Sequence, residues 1–355
     1  TECIEEIGNA MRGIVSAADP RAIFWMPMSV WMPTHQRQDY VNFCSEVIGV
    51  EVKRWHEARS DVAPMPKSVD VNYWLEDRTD SQLNSAVPNG EQHRGVCLAS
   101  GLYFDGNWEQ GFNAQDSVRD MFYSNPQVRG GKQAHAAVMM RQRASFPYAE
   151  VRTNSVVGVH TVPDIELALL APDGLLCQIV KIPYAAPFAA GGDRFHAMVV
   201  LPHPSVTLSK LVTVLGQSPR RWRHWTTNMK PRNLDLKLPK FKAMSASTSI
   251  LDELQYLGLD ECIQPCASGV LLGMSEDRGS FIDGVYHQVG IEVKEGNLNT
   301  APRYTPGNEP QYTRNVKMAP LSFWVDRPFL FLVTESDTGA IVALAKIERP
   351  LFHQS

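Results

Sequence analysis

LDLKLPKFKAM (Leu234 to Met244), GVYHQVGIEVKEG (Gly284 to Gly296) and FWVDRPFLFLV (Phe323 to Val333) follow one another in the last third of the chain, and GAIVALAKIERP (Gly339 to Pro350) closes the series on a proline. The order of these stretches carries more information about the fold than any composition figure. The 355 residues in which they sit fit one large mixed domain or two ordinary ones. With 44% hydrophobic and 20% charged residues there is material for a core, and no signature of disorder or low complexity. Thirty-four basic against 38 acidic residues give a net charge of −4, so no global field points to nucleic acid or an anionic membrane as the main partner. The longest apolar runs, FLFLV (Phe329 to Val333) and MVVLP (Met198 to Pro202), fall far short of the roughly 20 residues that span a bilayer.

Together the four stretches resemble the C-terminal half of a serpin, with the closing strand and its terminal Pro in place. The resemblance extends over nearly the whole chain. AIFWMPMSVWM (Ala22 to Met32) is similar to the serpin segment in which a strand meets the helix beneath the main sheet, and VNYWLEDRT (Val71 to Thr79) to the helix lying across that sheet. GVCLASGLYFDGNWEQGF (Gly95 to Phe112) resembles the long central strand with its Tyr-Phe, Gly, Trp ending. This implies an α+β serpin fold, a large mixed β-sheet with smaller antiparallel sheets and surrounding helices. It also implies a single serpin-like domain over 1–355, with an exposed reactive-loop-like segment at about 295–322. Between Met32 and about Gln38 the family carries two further helices and a strand of the main sheet. Either the protein has lost them or this chain omits a segment.

Local pattern fills in the elements. Ile4, Ile7, Met11, Ile14 and Val15 space an amphipathic helix over residues 2–16. Ala22 to Met32 is expected to begin as a strand and turn into a helix through Pro27 and Ser29, because Pro at a first turn loses no hydrogen bond. A helix near Gln38 to Ile48, a strand over Val50 to Trp55 and a helix around Val69 to Asn84 follow. VMMRQRASFPYAEV (Val138 to Val151), QIVKIPY (Gln178 to Tyr184) and FHAMVVLPHP (Phe195 to Pro204) each read as a short strand bounded by turn residues.

A serpin inhibits by offering a mobile loop as bait and inserting the cleaved loop as a new strand in its main sheet. The resemblance places the hinge of that loop at Glu295, Gly296, Asn297 and Pro302. Inhibitory relatives follow the hinge with a run of small residues, whereas here Asn297 to Tyr304 reads NLNTAPRY, with Ala301 its one alanine. Proline lacks the N–H that a central strand requires, and Pro306 and Pro310 follow Pro302. The scissile bond of relatives lies about seventeen residues beyond the hinge Glu, near Gln311 here, or about eleven before the Pro of Pro328, at Lys317 and Met318. The two rulers disagree, so the loop is longer than the family norm. Arg314, Lys317 and Met318 are the candidate scissile-bond residues, the basic pair suiting an acidic trypsin-like pocket.

The sheet-opening cluster of inhibitory relatives, two serines, an Asn and a His, falls on Met26, Ser29, Ser100 and His287. Met26 and Ser100 depart from the pattern and shrink the network. His287 reads as a structural core residue rather than a catalytic base. Ser218 to Arg232 interleaves Arg220, Arg221, Arg223, Lys230 and Arg232 with Trp222 and Trp225, a candidate polyanion patch; the bland reading is one core Trp beneath a solvated basic face.

Catalytic motifs are missing: there is no GxSxG, HExxH, Walker A or GxGxxG. No enzyme activity, cofactor or metal site is expected. Six cysteines (Cys3, Cys44, Cys97, Cys177, Cys262, Cys266) are too sparse for a disulfide scaffold and form no CxxC. TECIEEIGNAM carries no basic n-region, so no signal peptide is read, and no N-x-S/T sequon occurs. The expected function is a non-inhibitory binding, carrier, storage or structural role. The alternative is suicide inhibition of a trypsin-like serine protease or a cysteine protease. A protein partner, protease or assembly neighbour, is expected, with a polyanion and a homo-oligomer as further readings and no membrane insertion. The setting is extracellular or particle-associated, with an intracellular one not excluded.

Overall fold

The computed structural model describes residues 23–32, 36–54, 68–91, 93, 95–125, 134–152, 174–185, 195–217, 219–227, 229–263, 271–276, 278–296 and 319–351. In chain order the elements are β1 (Ile23–Trp25), β2 (Met28–Met32), α1 (Gln38–Asn42) continued by a π-helical turn (Phe43–Ile48), β3 (Glu51–Arg54), α2 (Ser68–Arg78), β4 (Val96–Asp105), β5 (Val118–Tyr123), β6 (Ala134–Arg152), β7 (Leu175–Pro183), β8 (Phe195–Pro202), α3 (Leu208–Gly216), α4 (Pro219–Thr227), β9 (Lys230–Pro239), β10 (Phe241–Met244), β11 (Thr248–Ser249), α5 (Leu251–Tyr256), α6 (Asp260–Ile263), β12 (Ile282–Val293), β13 (Leu321–Trp324), β14 (Phe329–Glu335) and β15 (Ile341–Ile347). They fall into two compact units, Thr1–Asp105 with Met244–Ile291 and Gly106–Ala243 with Glu292–Ser355.

The first unit is built on the strand order β12-β4-β2-β3, with β1 pairing the end of β4 and β11 pairing β12. β4 and β12 are parallel neighbours from Val96 opposite Ile282 to Phe104 opposite Ile291. Residues opposite each other share a face, and successive residues alternate. One face gathers Trp31, Cys97, Ala99, Tyr103 and Tyr286 under Val71, Trp74 and Leu75 of α2. Gly101 lies where α2 comes closest: a Cβ there would sit 2.5 Å from Leu75 Cδ1. The opposite face packs Val30, Met32, Val96 and Leu271, with Tyr40 and Cys262 against them.

Two expectations are corrected in this unit. The chain after Pro27 forms strand β2, not a helix. Ser29, Val30 and Trp31 lie opposite Ala99, Leu98 and Cys97 of β4, so tertiary pairing of β-branched and aromatic residues outweighs the helix-start signal of Pro27. α2 stops at Arg78 rather than running to Asn84. The Thr79 hydroxyl oxygen accepts the Leu83 amide at 3.0 Å, and Asp80 and Ser81 adopt φ of 47° and 62°, so the backbone turns out of the helix. The helix expected at 2–16 lies outside the described residues.

The second unit is an eight-stranded sheet, β13-β9-β6-β7-β8-β14-β15, with β5 added on β6. β6 is one 19-residue strand rather than a short one, because different stretches of it pair with different neighbours: β5 at one end, β9 along the middle and β7 at the other end. One sheet face is closed by α3 and α4, whose Leu211, Val214 and Trp225 pack on Ile179, Met198 and Leu332. The other holds Phe122, Phe241, Phe329 and Phe331 in edge-to-face contacts with centroids 5.3 to 6.4 Å apart. All four rings are fully buried, each contributing about 1.5–3 kcal/mol of burial energy.

Candidate functional site

The hinge is held where it leaves β12, by residues of the second unit. Trp108 is 1% exposed and stacks on Tyr184 with centroids 4.5 Å apart. Packed this way, its indole N–H is fixed in direction and donates to the Lys294 carbonyl at 2.7 Å. One residue on, the Phe112 amide donates to the Glu295 carbonyl at 3.0 Å. The Glu295 carboxylate accepts from Ser117 Oγ at 2.9 Å and pairs with Lys240 Nζ at 2.8 Å. Both ionic side chains are nearly buried, 12% and 14% exposed, so losing either partner would strand a charge away from water. Burial pushes the Glu295 pKa up, but the hydrogen bonds from Lys240, the backbone and Ser117 outweigh it and hold the carboxyl below its ordinary value.

Gly296 then takes φ +82°, with the place of its missing Cβ 3.4 Å from Trp108 Cδ1. Only glycine enters this left-handed region without strain, so the backbone bends at Gly296, three residues past the end of β12 at Val293. Asn297 and Pro302 of the expected hinge, and Arg314, Lys317 and Met318 of the expected scissile bond, lie outside the described residues. Sequence reasoning singled out Glu295 but not Lys240, Ser117 or Trp108 as its anchors. Lys240 stands in the LPKF of the opening stretch, a signal that was in view without a partner attached.

Of the four expected cluster residues in the first unit, the structure brings two together. Ser100 Oγ lies 2.8 Å from His287 Nδ1 and 3.4 Å from the Tyr286 carbonyl oxygen. The two residues are directly opposite in the β4–β12 ladder, which places both on one face. Ser29 is opposite Ala99, one position along, so its side chain belongs to the other face. There Ser29 Oγ donates to the Ala99 carbonyl and accepts the Trp31 indole N–H at 2.9 Å. Met26 is half-buried in the link between β1 and β2. The four-membered network is therefore divided into a Ser100–His287 pair and a separate Ser29–Trp31 pair. Burial lowers the His287 pKa, against an opposing hydrogen bond with Ser100, which favours a neutral imidazole.

The basic segment also divides. Arg220, Arg223, Lys230 and Arg232 are exposed. Arg221 is not: its Nη1 donates to the Val214 carbonyl at 2.9 Å and ties the end of α3 to α4. Trp225 is buried and Trp222 packs partly on the same core, so the tryptophans anchor α4 and do not offer stacking surfaces. Among the described residues no group of three or more His, Cys, Asp or Glu could hold a metal ion, and no helix is long and apolar enough to cross a membrane.

The family profile described as Serpin (serine protease inhibitor) matches residues 19–350. Human Serpin B3 is 26% identical over 295 residues, covering 81% of this chain and 65% of that protein. A protein named "Serine protease inhibitor" from Cyanea capillata is 25% identical over 289 residues, covering 80% of this chain and 65% of its own length. The chain thus spans just under two thirds of the length of these relatives. Among solved structures, human thyroxine-binding globulin complexed with thyroxine matches with a TM-score of 0.72 at 15% identity, over 98% of this chain and 81% of the other, a likeness of fold. Because the family profile covers nearly the whole chain, this chain belongs to the serpin family.

Proposed function

We propose that the protein is a non-inhibitory serpin, a single serpin domain over 1–355 that acts through binding, as a carrier, storage or structural component, and catalyses no reaction. The observation that carries this reading is the proline-bearing stretch after the hinge, with Pro302, Pro306 and Pro310. β4 and β12 are direct neighbours over nine residue pairs from Val96 to Phe104, so an inserting strand must break that ladder and replace it from both sides. Each proline brings no N–H to such a ladder, and the packed surroundings of Ala99, Tyr103 and Tyr286 favour small residues over Arg303 or Tyr304.

The second reading, a suicide inhibitor of a trypsin-like serine protease or a cysteine protease acting through Arg314, Lys317 or Met318, is favoured by the hinge itself. Glu295 and Gly296 keep a stem fixed by Lys240, Ser117 and Phe112, as a loop under tension would need. The partner is then a protease; on the first reading it is an assembly neighbour, another copy, or a polyanion on the exposed Arg220, Arg223, Lys230 and Arg232. Its setting is outside the cell or on a particle, with an intracellular one as the alternative.

Trypsin at limiting ratio separates the two. The expected outcome is a nicked loop with no denaturant-stable complex on a gel and little change in melting temperature. A covalent band, or a cleaved form much more heat-resistant than the intact chain, makes the protein an inhibitor.

A further inference from the structure

A cleft of about 160 Å³ opens in the second unit, where β5, β9 and β13 come together, and none of its lining residues belongs to the Glu295 hinge. Its floor is Lys237, whose side chain is 14% exposed and pairs with Asp120 at 2.8 Å. Trp324, opposite Lys237 in the β9–β13 ladder, lays its ring 4.2 Å from the same ammonium. Met139 and Val325 are buried beside it, while Met121 and Trp324 remain 41% and 42% exposed.

The charges decide what such a cleft accepts. Asp326, the other carboxylate on the lining, is held by Arg327 Nη1 at 2.9 Å. Arg141, opposite Lys237 on β6, is held by Asp235 through two hydrogen bonds of 2.9 and 2.7 Å. Asp120 differs from both in exposure: its side chain is 45% exposed, Oδ1 accepts from the Met121 amide at 2.9 Å, and the Oδ2 contact with Lys237 at 2.8 Å is the one an incoming anion would exchange with. Lys237 is a fixed, mostly dry cation whose counter-charge is exchangeable, beside an indole and two thioethers. A mostly buried ammonium needs an anion, and an aromatic ring gains from the Trp and Met surfaces. A space of roughly 150 Å³ is enough for one six-membered ring.

We propose that this cleft is a binding site for a small aromatic carboxylate, its ring against Trp324 between Met121 and Met139 and its carboxylate replacing Asp120 on Lys237. The site is independent of whether the loop inhibits a protease, so loss of either reading leaves the other standing.

Phenylacetate is the probe, titrated into the full chain by calorimetry beside phenethylamine and benzyl alcohol. Phenylacetate binds about tenfold or more tighter than either, because only it carries an anion for Lys237. Asp120→Asn removes the competing internal carboxylate and tightens phenylacetate severalfold, Lys237→Met abolishes the binding, and Trp324→Ala weakens it by about tenfold. Asp120 and Trp324 are exposed, so these two variants fold even where Lys237→Met does not. Equal or better binding of phenethylamine, weaker binding in Asp120→Asn, or no phenylacetate binding to Asp120→Asn at millimolar probe overturns the proposal.

Discussion

The Glu295 segment and the Ser100–His287 pair, which the family resemblance reads as hinge and sheet-opening cluster, differ in how much support the structure gives them. Four groups hold the hinge: an indole N–H, a backbone amide, a serine hydroxyl and a lysine ammonium all converge on Lys294 and Glu295. The sheet pair rests on one 2.8 Å side-chain contact and a 3.4 Å bond from Ser100 to the Tyr286 carbonyl, with the serine of β2 on the opposite face. The difference teaches how a polar network decays. Anchors that converge on two adjacent residues, two on the backbone and two on the Glu295 carboxylate, do not depend on how several strands face one another. A network assembled from β2, β4 and β12 depends on the facing of each, and one strand in a different register of facing divides it.

Breaking the hinge should therefore cost more than breaking the pair. Trp108→Ala deletes a fully buried indole together with its stacking on Tyr184 and its bond to Lys294, and it is expected to destabilise by about 3–5 kcal/mol in urea unfolding. Lys240→Met leaves the nearly buried Glu295 carboxylate without its cation and should cost about 3 kcal/mol. Adding Glu295→Gln to Lys240→Met should recover a large part of that loss, because the residual penalty belongs to the stranded charge. If the double variant is as unstable as the sum of the singles, the pair is not the anchor described here.

Acidification separates the two regions by pH window. The folded-state pKa of His287 lies below its ordinary 6.5, so the unfolded chain takes up its proton first; stability from this group is intact above pH 6.5 and falls as pH drops toward the folded value. The folded-state pKa of Glu295 lies below its ordinary 4.5, so its contribution is intact above pH 4.5 and lost as pH falls through the folded value. Melting temperature followed from pH 8 to 3 should show a first decline that His287→Gln reduces, with His135 contributing to the same window, and a second, lower one that Glu295→Gln reduces alongside Glu51, Asp120 and Asp235. A first decline that His287→Gln leaves unchanged assigns it to other groups.

The strands that frame the hinge were legible because their hydrophobic pattern and their sequence order agree: Leu234 to Met244 became β9 and β10, Gly284 to Gly296 lies on β12 and its end, and Phe323 to Val333 on β13 and β14. That one tryptophan of this segment lies in the core beneath an exposed basic face was legible too, though not that it is Trp225. β2 was not, since Pro27 and Ser29 carry a helix-start signal that only the ladder with β4 overrides. The facing of Ser29 was illegible for a related reason. Side-chain facing follows from register with a partner strand, and a one-residue difference in register inverts it without altering the sequence. Lys240 was in view but its partner was not, because the ion pair joins positions 55 residues apart that meet only in the folded unit.

The smallest effects test the division of the cluster most directly. Ser100→Ala removes the hydroxyl beside His287, and Ser29→Ala removes the one that accepts from Trp31; each is expected to cost about 1 kcal/mol. Were the two serines members of one network, as the family pattern implies, the double variant would depart clearly from the sum of the singles. On opposite faces of β4 they share no side-chain partner, so the double should equal that sum within about 0.5 kcal/mol. Coupling of 1 kcal/mol or more would mean that β2 presents Ser29 to the His287 face in solution, and would restore the sheet-opening network that inhibition requires.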